Sequence, residues 1–177
     1  MFSANLEDLI IDIPDYPEPG VIFKDITPLI ADSQGFASAI DEISDNFMGR
    51  GITKVVGSEA RGFVVGAPVA YRMGVGFVPA RKPGKLPRET YSQSYELEYG
   101  TDSLQIHKDA MGPGDKVLIV DDLVATGGTS VATAKLVEQA GAEVVGFGFL
   151  LELAYLNPRE IIGEYYQQEI FTVIKVD

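Results

Sequence analysis

The chain has 177 residues and a mass of 19.1 kDa, a length that fits one domain of ordinary size. Its 14 basic and 26 acidic side chains give a formal net charge of −12, which argues against broad surfaces for nucleic acid or anionic membranes. The absence of Cys excludes disulfides, thiolate zinc sites and cysteine nucleophiles, and a single His excludes multi-histidine metal sites. Acidic residues near the start do not match a signal peptide, so we expect a cytoplasmic location.

Strand and helix patterns alternate along the chain, which predicts an α/β fold with an open, mainly parallel sheet flanked by helices. In the first half of the chain, the patterns predict a short helix within 6–13, a helix through 36–47, a strand entering a turn over 54–63, a helix over 62–73 and a strand within 74–82. In the second half, they predict a hairpin over 90–107, a strand over 117–122, a helix ending near 139, and strands over 143–153 and 171–176.

Four of the 14 basic residues fall within eight positions, in a segment that also contains Pro and Gly. They are Arg81, Lys82, Lys85 and Arg88. An acidic chain that concentrates positive charge in this way is expected to use it locally.

The strongest motif is VLIVDDLVATGGTS, residues 117–130. A buried strand ends in two acids and leads through small residues into a helix, which is where an open α/β sheet places its ligand. Glycines let the backbone approach closely, hydroxyls add donors, and the helix start adds a partial positive charge. The motif therefore predicts a phosphate-binding loop that needs no lysine.

The same motif lacks two well-known nucleotide patterns. No Gly-Lys-Ser/Thr follows the strand, which argues against a P-loop, and no Gly-x-Gly-x-x-Gly marks a dinucleotide site there. Asp121 and Asp122 instead suit the neighbouring hydroxyls of a ribose, because a carboxylate can accept two hydrogen bonds.

The motif resembles the phosphoribosyl pyrophosphate loop of type I phosphoribosyltransferases. Four further segments, in the same order, resemble the adenine phosphoribosyltransferase family: YPEPGVIFKDITPLI, GSEARGF, RKPGKLPRETYSQSYELEYG and LLEL. The resemblance runs from about Pro14 to Leu153. It implies a single domain over 1–177 with the type I fold, a small N-terminal hood over 1–34 that recognises the base, and a flexible hairpin lid over 81–107.

The resemblance also implies a reaction. Adenine and phosphoribosyl pyrophosphate would give AMP and pyrophosphate. Mg²⁺ would be held mainly by substrate oxygens and water rather than by direct protein ligands. The resemblance further implies a homodimer without nucleic acid or membrane partners. Two other functions stay open. The chain could act on hypoxanthine, guanine or xanthine, or it could be a non-catalytic regulator that senses purines or phosphoribosyl pyrophosphate.

By the same resemblance, the residues divide among the parts of the substrates. The 5′-phosphate is expected on Ala125, Thr126, Gly127, Gly128 and Thr129. Pyrophosphate is expected near Glu59, Ala60, Arg61, Arg81, Lys82, Lys85 and Tyr99. Adenine is expected near Ile22, Phe23, Lys24 and Leu153, where Lys24 stands in place of the arginine that other members carry. The expected catalytic residues are Glu98, which would handle a proton at the base, together with Asp121, Asp122, Arg61 and Lys85.

Overall fold

The structure is a computed structural model that describes residues 5–96 and 100–177. The strands are β1 (Ile11–Pro14), β2 (Ile22–Asp25), β3 (Lys54–Ser58), β4 (Gly76–Ala80), β5 (Thr90–Glu96), β6 (Thr101–His107), β7 (Lys116–Val124), β8 (Glu143–Leu153) and β9 (Glu169–Val176). The α-helices are α1 (Thr27–Ala31), α2 (Ser33–Phe47), α3 (Arg61–Met73), α4 (Gly128–Gln139) and α5 (Pro158–Gly163), and short 3₁₀ turns span Leu6–Leu9 and Ala154–Leu156.

A five-stranded parallel sheet in the order β4-β3-β7-β8-β9 forms the centre of the fold. The sheet confirms the predicted α/β class. Strand β7 lies in the middle, and its residues 117–120 are buried, as expected for a continuous apolar strand covered on both faces. The two acids that follow therefore stand at the carboxyl end of the central strand.

Helices cover both faces of this sheet. Leu118 and Val120 pack with residues of α1, α2 and α3 on one face, whereas Val117 and Ile119 pack with α4, α5 and the β5–β6 hairpin on the other. Helix α2 begins at Ser33, ahead of the predicted span 36–47, because the Asp32 carboxylate accepts a hydrogen bond from the Gly35 N–H at 2.7 Å. Among the described residues, no helix is both long and apolar enough to cross a membrane.

The N-terminal segment differs from its prediction. The expected helix over 6–13 is a single 3₁₀ turn at Leu6–Leu9, and the chain then extends into β1. Antiparallel pairing with β2, in which Ile13 lies opposite Phe23, satisfies the β1 backbone and outweighs the local helix preference.

The predicted hairpin at 90–107 is confirmed. Strands β5 and β6 pair antiparallel from Thr90 opposite His107 to Glu96 opposite Thr101. The hairpin lies on α4, where the Gln139 amide donates to the Gln93 side-chain oxygen at 3.0 Å. It therefore lies beside the helix that follows the glycine-rich loop.

A buried carboxylate ties the last strands to α5. Glu152 is 1% exposed and accepts hydrogen bonds from Arg159 Nε at 2.8 Å and Nη2 at 2.7 Å, and from the Thr172 hydroxyl at 2.8 Å. Burial raises the pKa of the Glu152 carboxyl, but the hydrogen bonds from Arg159 and Thr172 outweigh it and hold the pKa below its usual value.

We expect Arg159→Ala to destabilise the fold by about 1.5–3 kcal/mol, because it leaves the Glu152 charge buried without its main donors. Urea denaturation at neutral pH measures the change. The matched control is Arg72→Ala, which removes an exposed pair with Asp41 and Asp45 and should lower the free energy of unfolding by much less. Equal losses in the two variants would contradict the assigned role of the buried pair.

Candidate active site

A cleft of about 240 Å³ lies at the carboxyl ends of β3 and β7. It brings together three segments that are far apart in the sequence: the turn after β3, the basic segment with the hairpin, and the loop after β7. Its walls are formed by Ser58, Glu59, Arg61, Lys82, Tyr95, Leu104, Asp121–Gly127, Thr129 and Ser130. The structure therefore collects most of the predicted anion-binding residues in one place.

The loop after β7 is shaped to receive an anion. Gly127 has φ +95° and precedes α4, and an added Cβ would lie 3.0 Å from the Pro158 carbonyl oxygen, so the turn requires glycine. Among the described residues, no side chain caps this end of α4, which leaves its first N–H groups available to a ligand. Thr126 and Thr129 add hydroxyls on the cleft wall.

Asp121 and Asp122 form a carboxylate pair on the same cleft wall. The Asp121 carboxylate accepts hydrogen bonds from the Ser58 hydroxyl and from the Asp122 N–H at 2.9 Å. Arg61 Nε contacts Asp122 Oδ2 at 2.9 Å. Burial raises the pKa of Asp121 well above its usual value, and the adjacent Asp122 charge raises it further. Ionising both carboxyls is therefore costly unless a positive charge lies close to them.

Close packing places this pair against α3. An added Cβ at Gly62 would lie 2.6 Å from Asp121 Oδ1, so glycine lets the start of the helix approach the carboxylate. The side chain of Arg61, the first residue of α3, also stands 5.6 Å from the centre of the Phe23 ring. Arg61 therefore connects the acid pair with the N-terminal β1–β2 ribbon.

Glu59 gathers the basic segment at the mouth of the cleft. Its carboxylate accepts hydrogen bonds from Arg81 Nε at 2.9 Å, the Lys82 N–H at 3.0 Å and Lys85 Nζ at 2.8 Å. Burial raises the pKa of Glu59, but these donors outweigh it and lower the net pKa. Because Arg81 and Lys85 each engage one donor group, other N–H groups of both side chains stay available to an anion.

Arg88 lies outside this arrangement. Its guanidinium contacts Asp109 at 2.8 Å and His107 Nδ1 at 3.0 Å, on the far side of the hairpin base. Three of the four clustered cations thus gather near Glu59 and the cleft, while Arg88 fixes the end of the hairpin.

The predicted base-binding residues are spread over a wider region. Phe23 faces Arg61, and Leu153 is buried at the end of β8, whereas Ile22 is 52% exposed. Lys24 is on the opposite face of β2 from Phe23, since neighbouring strand residues alternate. Its ammonium pairs with Asp12 at 2.6 Å and lines a separate cavity, so the structure does not bring Lys24 into the cleft.

Glu98 and Tyr99 lie outside the described residues. The structure adds cleft residues that the sequence did not single out: Ser58, Tyr95, Leu104, Leu123 and Val124. Ser58 stands in the quoted GSEARGF motif, but only the fold shows its contact with Asp121. Tyr95 could have been found from the strand pattern, because Gln93 and Tyr95 are two residues apart and therefore share the face of β5 that lies on α4.

Comparison with known proteins agrees with this geometry. A family model for the phosphoribosyl transferase domain matches residues 25–163. The chain belongs to the phosphoribosyltransferase family. It is 59% identical over 161 residues to a protein of Alkaliphilus metalliredigens named adenine phosphoribosyltransferase, covering 91% of this chain and 95% of the relative.

Solved structures of this family also match. A Thermoanaerobacter pseudethanolicus adenine phosphoribosyltransferase superposes with a TM-score of 0.91 at 51% identity, over 97% of this chain and all of that one. A Giardia lamblia enzyme, solved with 9-deazaadenine, gives a TM-score of 0.92 at 36% identity over 97% and 96% of the two chains. The type I phosphoribosyltransferase fold is therefore shown.

In this phosphoribosyltransferase we expect Asp121→Asn to separate stability from activity. A raised pKa in the folded state means that the neutral carboxyl favours folding, a contribution that is lost as the pH rises through the folded pKa. An Asn side chain is uncharged and has nearly the same shape as the neutral Asp121 carboxyl, so the Tm of this variant at pH 8 should equal or exceed that of the unchanged chain. Turnover should fall by about 10²-fold, because the negative charge is lost.

Asp115→Asn is the matched control at the other end of β7. Hydrogen bonds from Thr53 and the Gly112 N–H lower the pKa of Asp115, so its ionised form stabilises the fold above the unfolded pKa. This variant should lower the Tm at pH 8 and keep its turnover. A lower Tm for Asp121→Asn than for Asp115→Asn would show that the Asp121 charge does not oppose folding.

Proposed function

We propose that this chain acts as an adenine phosphoribosyltransferase. It forms the bond between adenine N9 and C1′ of phosphoribosyl pyrophosphate and breaks the bond from C1′ to pyrophosphate, giving AMP. The observation that carries the proposal is one cleft that joins a phosphate-binding loop, a carboxylate pair and a group of cations. Relatives at 59% and 51% identity carry the same name, and the Giardia relative was solved with 9-deazaadenine.

The phosphoribosyl group is assigned to the loop and the acid pair. Backbone N–H groups and hydroxyls of residues 125–129 hold the 5′-phosphate at the start of α4. Asp121 and Asp122 accept hydrogen bonds from the ribose hydroxyls. Positive charge develops on the sugar as the C1′–oxygen bond breaks, and the negative charge of the pair stabilises it without reorganisation.

The leaving group is assigned to the opposite wall. Arg61, Arg81, Lys82 and Lys85 surround the position of pyrophosphate, with the Ala60 N–H and Glu59 in the same turn. Closure of 81–107 as a lid over the site would keep water from hydrolysing the sugar donor. The lid and the hood over 1–34 are parts of this proposal.

Magnesium is proposed to enter with the substrate and to be held mainly by substrate oxygens and water. Within residues 5–96 and 100–177, no three His, Asp or Glu side chains group as metal ligands. Asp121 and Asp122 are assigned to the ribose hydroxyls and would add negative charge near the ion. When bound, it neutralises charge on pyrophosphate. The raised pKa of Asp121 supports this assignment, because a nearby cation relieves the repulsion.

Adenine is assigned to the region between the β1–β2 ribbon and the end of β8. Phe23 offers a ring face near Arg61, backbone groups near Ile22 offer hydrogen bonds, and Leu153 adds apolar surface. The Lys24 side chain would need to leave Asp12 to reach the base. Glu98 is proposed to handle the proton, with Tyr99 closing the site.

The function is tested by incubating the protein with phosphoribosyl pyrophosphate, Mg²⁺ and one purine base at a time, and by measuring the release of pyrophosphate. We expect turnover with adenine and little with guanine, hypoxanthine or xanthine. Turnover of those bases without adenine would assign the chain to another purine. Tight binding of phosphoribosyl pyrophosphate without turnover of any base would favour the regulator.

The proposed assembly is a homodimer, and the proposed location is the cytoplasm. Exposed apolar side chains on α3 support a second copy near the pyrophosphate turn, since Tyr71 is 90% and Val64 40% exposed. Sedimentation equilibrium should give twice the 19.1 kDa mass of one chain. A single-chain mass at micromolar concentration would contradict the dimer.

A further inference from the structure

The β5–β6 hairpin spans the distance between the two anion-binding walls of the cleft. On one wall, Thr129 belongs to the 5′-phosphate loop, and on the other, Lys82 belongs to the proposed pyrophosphate group. Both lie on the same cleft as Tyr95 of β5. The hairpin is held in this position by Gln139 of α4, which donates to the Ser92 carbonyl at 3.4 Å and to Gln93 at 3.0 Å.

Tyr95 and Asp102 form the connection across the hairpin. They are directly opposite in the antiparallel register, so their side chains project from the same face. The Tyr95 and Thr129 side chains line the same cleft, the Asp102 side chain lies beside Tyr95, and the Tyr95 ring packs on the core beside α4. Burial raises the pKa of Tyr95, and the Asp102 charge raises it further, so the phenol keeps its proton at neutral pH.

Asp102 carries the connection to the pyrophosphate wall. Its Oδ2 lies 2.8 Å from Lys82 Nζ, and its Oδ1 accepts the Ser103 N–H at 2.8 Å. The hydrogen bond from Lys82 lowers the pKa of Asp102, and the same contact raises the pKa of Lys82. The backbone of Arg81 is fixed to the same strand by paired hydrogen bonds with Gln105 at 2.9 and 2.7 Å.

We propose that Tyr95 and Asp102 are positioning residues that couple the 5′-phosphate subsite to the pyrophosphate subsite. An anion on the loop orders Thr129 and with it Tyr95, Asp102 and Lys82, so the second anion binds to cations that are already placed. The coupling is reciprocal, as linkage requires. The inference rests on the proposed function, since it assumes that both anions are parts of one substrate.

The test measures coupling without turnover. Calorimetric titration of the full chain gives the Kd of magnesium pyrophosphate without and with saturating ribose 5-phosphate, and the ratio of the two Kd values reports the coupling. We expect Tyr95→Phe and Asp102→Asn each to shift this ratio by about fivefold or more toward weaker cooperation. The double variant should match the single variants, because both break the same chain of contacts.

Tyr91→Phe is the matched control. Tyr91 lies four residues earlier on the same strand face, packs on the same core, and is 5.7 Å from the Lys108 ammonium rather than near either anion subsite. The ratio of the two magnesium pyrophosphate Kd values in Tyr91→Phe should equal the ratio in the unchanged chain. A ratio that does not shift in Tyr95→Phe and Asp102→Asn, or that shifts equally in Tyr91→Phe, overturns the inference. Adenine turnover by the unchanged chain is measured separately, so failure of the function and failure of the coupling are distinguishable.

Discussion

The constraint on which the site depends is the placement of two adjacent carboxylates at the carboxyl end of the central strand. Burial and mutual repulsion raise the pKa of Asp121, so the neutral carboxyl is favoured in the folded chain. Arg61 pairs with Asp122 and offsets part of the repulsion. Positive charge that develops on a bound sugar would relieve the remaining cost of ionising Asp121, which is the proposed contribution of the pair to catalysis.

Positive charge is organised around that pair by a third carboxylate. Glu59 holds Arg81 and Lys85 by one donor group each and leaves their other N–H groups free for substrate. This explains how a chain with a net charge of −12 can bind a highly anionic donor. The acid excess is spread along the chain, whereas Arg61, Arg81, Lys82 and Lys85 lie together at one cleft and can act on one anion.

The β5–β6 hairpin connects two segments of the cleft that are distant in the sequence. Because it contacts α4 through Gln139 and the basic segment through Lys82, it joins the two segments that are proposed to bind opposite ends of the donor. Tyr95 and Asp102 meet only because the strands pair in one register. A shift of the pairing by one residue would place the two side chains on opposite faces of the hairpin, so the proposed coupling depends on this register.

The sequence by itself determined the α/β class, the central strand, the glycine-bearing loop that leads into α4 and the position of the acid pair. These features depend on contiguous residues, whose apolar runs, glycines and carboxylates act over a few positions. Only the tertiary structure decided that 6–13 is mainly a turn and a strand, that Lys24 pairs with Asp12, and that Ser58 and Tyr95 line the cleft. Those outcomes depend on strand pairing and on side chains distant in the chain, and local propensity is too weak to fix either.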